Sequence, residues 1–148
     1  MICTILSSGE EDKTAFQTIK EKLREIIWQL YCEGYNEFYV NCEDGIPLWA
    51  AEIIANLKQN NQIKLNIVAP YEEQCLDWSE DKRDRYYYVH EKSDTVEFVC
   101  SNYESRCYDA AVEMMIKESD MVIVFGSFEK AECYAEECGV TVKNIAFE

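Results

Sequence analysis

Two loops and one helix hold the residues of this chain best suited to chemistry. Glu43-Asp44-Gly45 puts two carboxylates just past an apolar run, where they can accept ribose hydroxyls or activate a water. The plain structural alternative is that they cap the helix that follows. Within that helix Trp49 and Glu52 share a face, so Trp49 can stack on a base or pack in the core. Ser7-Ser8-Gly9 closes the first apolar run. Its hydroxyls and N–H groups suit a phosphate at a helix N-terminus, and equally a tight strand-to-helix turn with a serine cap. The acidic run Glu10-Glu11-Asp12 beside it favours the helix dipole and repels an anionic ligand.

Other chemistries lack their residues. Neither G-x-G-x-x-G nor G-x-x-x-x-G-K-[ST] occurs, and Ser8-Gly9 and Gly126-Ser127 stand outside a G-x-S-x-G elbow. Eight cysteines include no C-x-x-C pair, and His90 is the single histidine, so no metal site is expected. Most of the thiols lie in apolar stretches and read as small buried hydrophobes. His90, with no nucleophile at a catalytic spacing, reads as a helix-surface residue. Tyr86-Tyr87-Tyr88 points in three directions about 100° apart, so at least one ring must be exposed or lie at an interface.

Charge narrows the partners. The 148 residues carry 14 Lys and Arg against 29 Asp and Glu, a net charge of -15, and the basic residues are few and scattered. Phosphate neutralisation needs clustered cations, which argues against nucleic acid or an anionic membrane. No apolar run approaches the ~20 residues of a membrane span, and the first residues lack a signal-peptide pattern, which predicts a cytoplasmic protein. A hydrophobic content of 48% excludes a disordered acidic tail, and the length predicts one domain over residues 1–148.

Strand-like and helix-like segments alternate along the chain, predicting an α/β fold: a Rossmann-like, doubly wound, mainly parallel sheet of five to six strands with helices on both faces. Strands are expected over residues 2–6, 37–41, 63–69 (halted by Pro70), 95–100, 121–125 and 140–147. Helices are expected from Phe16 up to Gly34, and over 47–60, 80–91 with Ser79 as N-cap, 104–117 with Cys107, Ala111 and Met114 on one face, and 128–138. Ligands on such sheets bind outside the carboxyl ends of the strands, near the point where strand order reverses. The loops that matter are therefore residues 7–13, 42–46, 70–78, 101–106 and 126–129.

Longer motifs add a family. Asp44-Gly45-Ile46-Pro47-Leu48-Trp49-Ala50-Ala51-Glu52 looks like a G-x-x-LWAAE element. Pro70, Tyr71, Gln74 and Trp78 match a P-[FY]-x-x-Q-x-x-x-W loop, and Tyr103, Cys107, Met115 and Ser119-Asp120 fit Y-x-x-x-C and M-x-x-x-SD. On these residues, over nearly its whole length, the chain resembles the YpsA-like branch of the SLOG superfamily, which is related to the Lonely-guy phosphoribohydrolases and DprA-type DNA-processing proteins. The resemblance implies a Rossmann-like fold and a pocket for a nucleotide-derived ligand, without metal or other cofactor. The matched pocket candidates are Asp44, Gly45, Trp49, Glu52, Pro70, Tyr71, Gln74, Trp78, Tyr103 and Cys107; Ser7, Ser8, Gly9 and Glu43 join them from their loops.

This chain also departs from the pattern. A basic G-H-R-P-like turn is replaced by Ser7-Ser8-Gly9-Glu10, an Arg-Asn pair by Ala111 and Val112, and a G-G-T turn by Gly126-Ser127-Phe128-Glu129. Each loss removes an anion-binding group, and Arg106 is a candidate to compensate for the missing arginine. The PGGxGTxxE signature of the Lonely-guy enzymes is absent. The leading reading is a non-catalytic module, without catalytic residues, that binds a nucleotide-derived small ligand as a sensor or adaptor. The alternatives are a degenerate member acting through a protein partner or homo-oligomer, and a hydrolase of an N-glycosidic or phosphoester bond using Glu43, Asp44 or Glu52 as base.

Overall fold

Six short β-rich runs, each leading into a helical stretch except the last, assemble into one parallel sheet. The computed structural model describes residues 1–146. Its strands are β1 (Ile2–Ser7), β2 (Glu37–Val40), β3 (Lys64–Tyr71), β4 (Thr95–Cys100), β5 (Met121–Phe125) and β6 (Thr141–Ile145). Its helices are α1 (Phe16–Cys32), preceded by a 3₁₀ turn at Lys13–Ala15, α2 (Ile46–Leu57), α3 (Glu80–Lys92), α4 (Cys107–Lys117) and α5 (Glu129–Glu137). The order β4-β3-β2-β1-β5-β6, with every pairing parallel, reverses between β1 and β5, which makes the fold Rossmann-like and doubly wound.

Alternation along the strands builds a core on each side. Cys3 and Ile5 of β1 and Ile123 and Phe125 of β5 face the layer of α1, α2 and α3. Leu6, Val122 and Val124 face α4 and α5. Helix α2 is apolar nearly all round and is the most deeply buried, with Ile46, Leu48, Ala50, Ala51, Ile54 and Ala55 fully covered. Each buried leucine or isoleucine contributes about 1.5–3 kcal/mol. Ser119 and Asp120 of the family motif fasten β1: Ser119 Oγ shares a hydrogen bond with Thr4 Oγ1 and donates to the Met115 carbonyl at 2.8 Å, while Asp120 Oδ2 accepts from Ile2 N at 2.8 Å. No helix among the described residues is long and apolar enough to cross a membrane.

Several boundaries differ from the sequence expectation, each for a local reason. Strand β3 runs through Pro70 to Tyr71, because β2 ends at Val40 opposite Ile67 and the missing proline N–H breaks no rung there. Helix α4 starts at Cys107 rather than 104, since residues 101–106 are tied up by their own loop contacts. Its buried stripe runs Cys107, Ala111, Met115 with Val112 and Ile116, leaving Met114 exposed. Helix α2 begins at Ile46 and ends at Leu57, β2 stops at Val40, and β6 spans Thr141–Ile145; the expected extension to Phe147 lies outside the described residues. Ser79 caps α3 as expected, accepting from Lys82 N at 3.3 Å.

Candidate functional site

The carboxyl ends of the strands gather most of the candidate residues, and the glycines and serines there are occupied by the chain itself. Ser7 ends β1, and its hydroxyl accepts from Gly9 N at 3.1 Å and donates to Glu11 Oε2 at 3.0 Å. Ser8 N donates to the Phe125 carbonyl at 2.9 Å, joining the turn to β5 at the point of reversal. The expected serine cap is absent, because no helix begins at this turn. Asp12 caps the 3₁₀ turn through Thr14 N, and α1 follows only at Phe16.

Glu11 serves α2 instead of its own helix. Glu11 is 7% exposed, and its Oε1 accepts from Ile46 N at 3.1 Å, so a residue from the first loop caps the helix after β2. The sequence offers Glu43 and Asp44 as the caps, but the Ile46 N–H goes to Glu11. Gly45 is the N-cap at φ 106°, a left-handed conformation that glycine adopts without strain. Glu132 repeats the arrangement at α5, where its Oε2 accepts from Phe128 N at 2.7 Å and its Oε1 from Asn144 Nδ2 at 3.1 Å. Two helix starts at this edge therefore hold carboxylates of the protein.

Residues 41–45 are set by a buried polar chain. Gln74 Nε2 donates to the Asn41 carbonyl at 3.2 Å, Tyr86 Oη donates to Gln74 Oε1 at 3.0 Å, and Asn41 Oδ1 accepts from Glu43 N at 3.1 Å. Cys42 takes a positive φ of 57° in this loop, which turns the chain so that Glu43 and Asp44 leave the core half-buried. Gln74 is thus a brace, and Trp78 packs edge-on against Tyr86 at 5.4 Å.

An aromatic group stands beyond that brace. Tyr71 lies 5.5 Å from Tyr103 and 6.3 Å from Tyr108, both edge-on, and Tyr103 is 64% exposed. Burial, and then the nearby Glu43 carboxylate, raise the Tyr108 phenol above the ordinary tyrosine value. Pro70 is buried behind Tyr71 at the end of β3. Cys107 anchors the loop that carries Tyr103: its sulfur accepts from Glu104 N at 3.0 Å and donates to the Asn102 carbonyl at 3.8 Å. A hydrogen bond to Cys107, and then burial, push the Cys100 thiol up to about 11. Tyr108, Glu11 and Glu132 escape sequence motifs, and only their positions just inside or before helix starts could have signalled them.

This pattern of motifs on a reversed parallel sheet has a family. The family model described as YspA SLOG family, YpsA, matches residues 6–137. The chain belongs to this family. A UPF0398 protein of Halalkalibacterium halodurans is 30% identical over 105 residues, covering 70% of this chain and 53% of that protein. One from Listeria monocytogenes is 32% identical over 114 residues, 76% of this chain and 63% of that protein. One from Bacillus thuringiensis is 26% identical over 124 residues, 82% and 67%. The chain thus matches about half to two thirds of the length of these relatives.

The family element after β2 is divided between core and surface. Trp49 is 6% exposed and lies 6.4 Å from Phe16, so it is chiefly a packing residue, while half-buried Glu52 accepts from Arg85 Nη2 at 2.6 Å and Nε at 3.0 Å. Asp44 Oδ2 accepts from Lys82 Nζ at 3.0 Å. The cations expected to be scattered instead converge. Lys20, Lys82 and Arg85 line a cavity of about 270 Å³ with Phe16, Asp44 and Trp49, between the first turns of α1, α2 and α3. Arg106 does not replace the missing family arginine: it is exposed and pairs with Glu104 at 3.3 Å, while Ala111 and Val112 are sealed in the core.

His90 also departs from the sequence reading. Its ring lies tilted against Tyr86 with centroids 4.0 Å apart, its Nε2 is buried without a hydrogen-bond partner, and burial lowers its pKa to about 4. Among the described residues no three His, Cys, Asp or Glu side chains form a metal-binding group. Five cysteines are buried, while Cys32, Cys133 and Cys138 are exposed.

Proposed function

We propose that the chain is a non-catalytic binding module for a nucleotide-derived ligand bearing little or no phosphate, held at the carboxyl edge of the sheet. The observation that carries this reading is the pair of carboxylates, Glu11 on α2 and Glu132 on α5, seated on N–H groups that an anion would otherwise take. A phosphate there meets like charge. Tyr71 and Tyr103 offer ring faces for a base. Glu43, half-buried below Tyr108, and the turn at Ser7, Ser8 and Gly9 offer polar groups for ribose hydroxyls. A sensor or adaptor role follows from binding without turnover.

A hydrolase is disfavoured by the ion pairs. Glu52 is held by Arg85 and Asp44 by Lys82, so both of these candidate bases spend acceptor capacity on cations. Contact with a protein partner has its own support in the exposed side chains of Leu76 (58%), Tyr87 (59%) and Phe98 (43%) around α3 and the edge strand β4.

A thermal-shift series with adenosine, AMP, ADP, cyclic nucleotides, nicotinamide dinucleotides and phosphoribosyl compounds tests the reading. Saturable stabilisation by nucleosides, falling as phosphates are added and lost in Tyr103→Ala, is the expected result. Absence of any shift, or affinity rising with ligand charge, rejects it. In the former case concentration-dependent sedimentation of wild type and Tyr87→Ser tests the protein-contact alternative.

A further inference from the structure

Fourteen cations serve a chain of net charge -15, yet three of them meet around one cavity on the outer helical layer. Lys82 is matched by Asp44 at 3.0 Å, and Arg85 by Glu52 at 2.6 Å. Lys20 is different. It is half-buried, its ammonium lies 5.5 Å from the centre of the Phe16 ring and 5.9 Å from that of Trp49, and it makes no ion pair among the described residues. Ring faces are weak partners for an ammonium compared with an oxyanion.

We propose that this cleft between α1, α2 and α3 is a second ligand site, taking a small anion in which a phosphate or carboxylate is carried on a flat apolar group. Lys20 holds the head group, Lys82 stands in the lining paired with Asp44, and Phe16, 39% exposed, forms the open apolar wall with Trp49 behind it. Arg85 is fixed against Glu52 and shapes the floor. A volume of about 270 Å³ limits the ligand to one ring and one head group. The acidic surface does not forbid this: Asp44, in the lining, is paired with Lys82, and charges farther than about 8 Å are screened at physiological salt while Lys20 acts at contact.

The cleft shares no lining residue with the Tyr71–Tyr103–Tyr108 group, so the two sites stand or fall separately. Phenyl phosphate, benzoate, inorganic phosphate and phenol are titrated into the full chain while the Trp49 indole and the Tyr103 ring are followed by NMR. Expected is a saturable change at Trp49 with phenyl phosphate or benzoate, the tighter of the two naming the head group, and at least tenfold weaker binding of inorganic phosphate and phenol. Lys20→Gln, on a half-exposed helix position, is expected to keep the melting temperature and to bind about tenfold more weakly, as losing one charge-assisted contact does. The proposal is overturned if neither aryl anion saturates at Trp49, if Lys20→Gln binds like wild type, if inorganic phosphate binds as well as phenyl phosphate, or if the changes are confined to Tyr103.

Discussion

The carboxyl edge of the sheet and the cleft between α1, α2 and α3 treat charge in opposite ways. At the edge, carboxylates sit on the helix starts, Glu11 on α2 and Glu132 on α5, and Tyr103 is exposed against half-buried Tyr71. In the cleft, Lys20, Lys82 and Arg85 surround aromatic rings, and one of the three carries no counter-charge among the described residues. Helix α2 touches both, since Glu11 accepts from its Ile46 N and its Trp49 lines the cleft. Glu11 and Glu132 occupy N–H groups at helix starts where such folds usually bind anions, while Lys20, Lys82 and Arg85 gather in the cleft. Net charge alone misses this, because it averages over both regions.

Removing Glu11 breaks the comparison most directly. Glu11→Ala strips a nearly buried cap from Ile46 N and a partner from Ser7 Oγ, and the expected loss is about 2 kcal/mol in urea unfolding. The variant also opens the helix start to an external anion. Inorganic phosphate is therefore expected to restore part of the lost stability in Glu11→Ala and to do nothing for the wild type at that position. A variant as stable as wild type would show that Glu11 is no cap, and the contrast between the two regions would lose its basis.

The ion pair bordering the cleft comes next. Arg85 reaches Glu52 through two nitrogens with both side chains about a quarter exposed, so a double-mutant cycle with Arg85→Met and Glu52→Gln should give a coupling of about 1 kcal/mol, more than a fully exposed pair and weakened by salt. His90, packed against Tyr86, gives α3 a second handle. His90 has a folded pKa of about 4, below the ordinary 6.5, so the neutral ring is favoured by folding; its contribution is complete above pH 6.5 and is lost as pH falls from 6.5 towards 4. Between pH 7 and pH 5 the decline is expected to be about 1 kcal/mol once solvent contact of the half-exposed ring is allowed for, and His90→Phe should remove it.

The architecture was legible because hydrophobic period and turn residues agree along the chain: MVIVF can only be a buried strand, and Ser79 before Glu80 marks a helix start. The family motifs were legible too, yet their roles were not. Gln74 reads as a pocket residue and also braces the Asn41 loop, a role hidden because a hydrogen bond to a backbone atom distant in sequence leaves no local pattern. The cap of α2 comes from 35 residues upstream for the same reason. Lys20 on α1 and Lys82 and Arg85 on α3 looked scattered since their meeting depends on how the helices pack, not on spacing.

Glu132 offers the smallest and most selective test of the edge. Unlike Glu11 it is half-buried, and it reaches back within its own helix, to Phe128 N at 2.7 Å, while its second oxygen holds Asn144 of β6. Water can replace part of both bonds, so Glu132→Ala should cost only about 0.5–1 kcal/mol. Glu132→Gln should recover much of the Asn144 contact but less of the helix-start interaction, since the amide lacks the charge that the dipole favours. If the two variants are equally destabilised, the charge at α5 is incidental, and the closure of the edge to anions rests on Glu11 alone. If glutamine is the milder change and its remaining deficit shrinks with added salt, both helix starts at the edge are closed by charge.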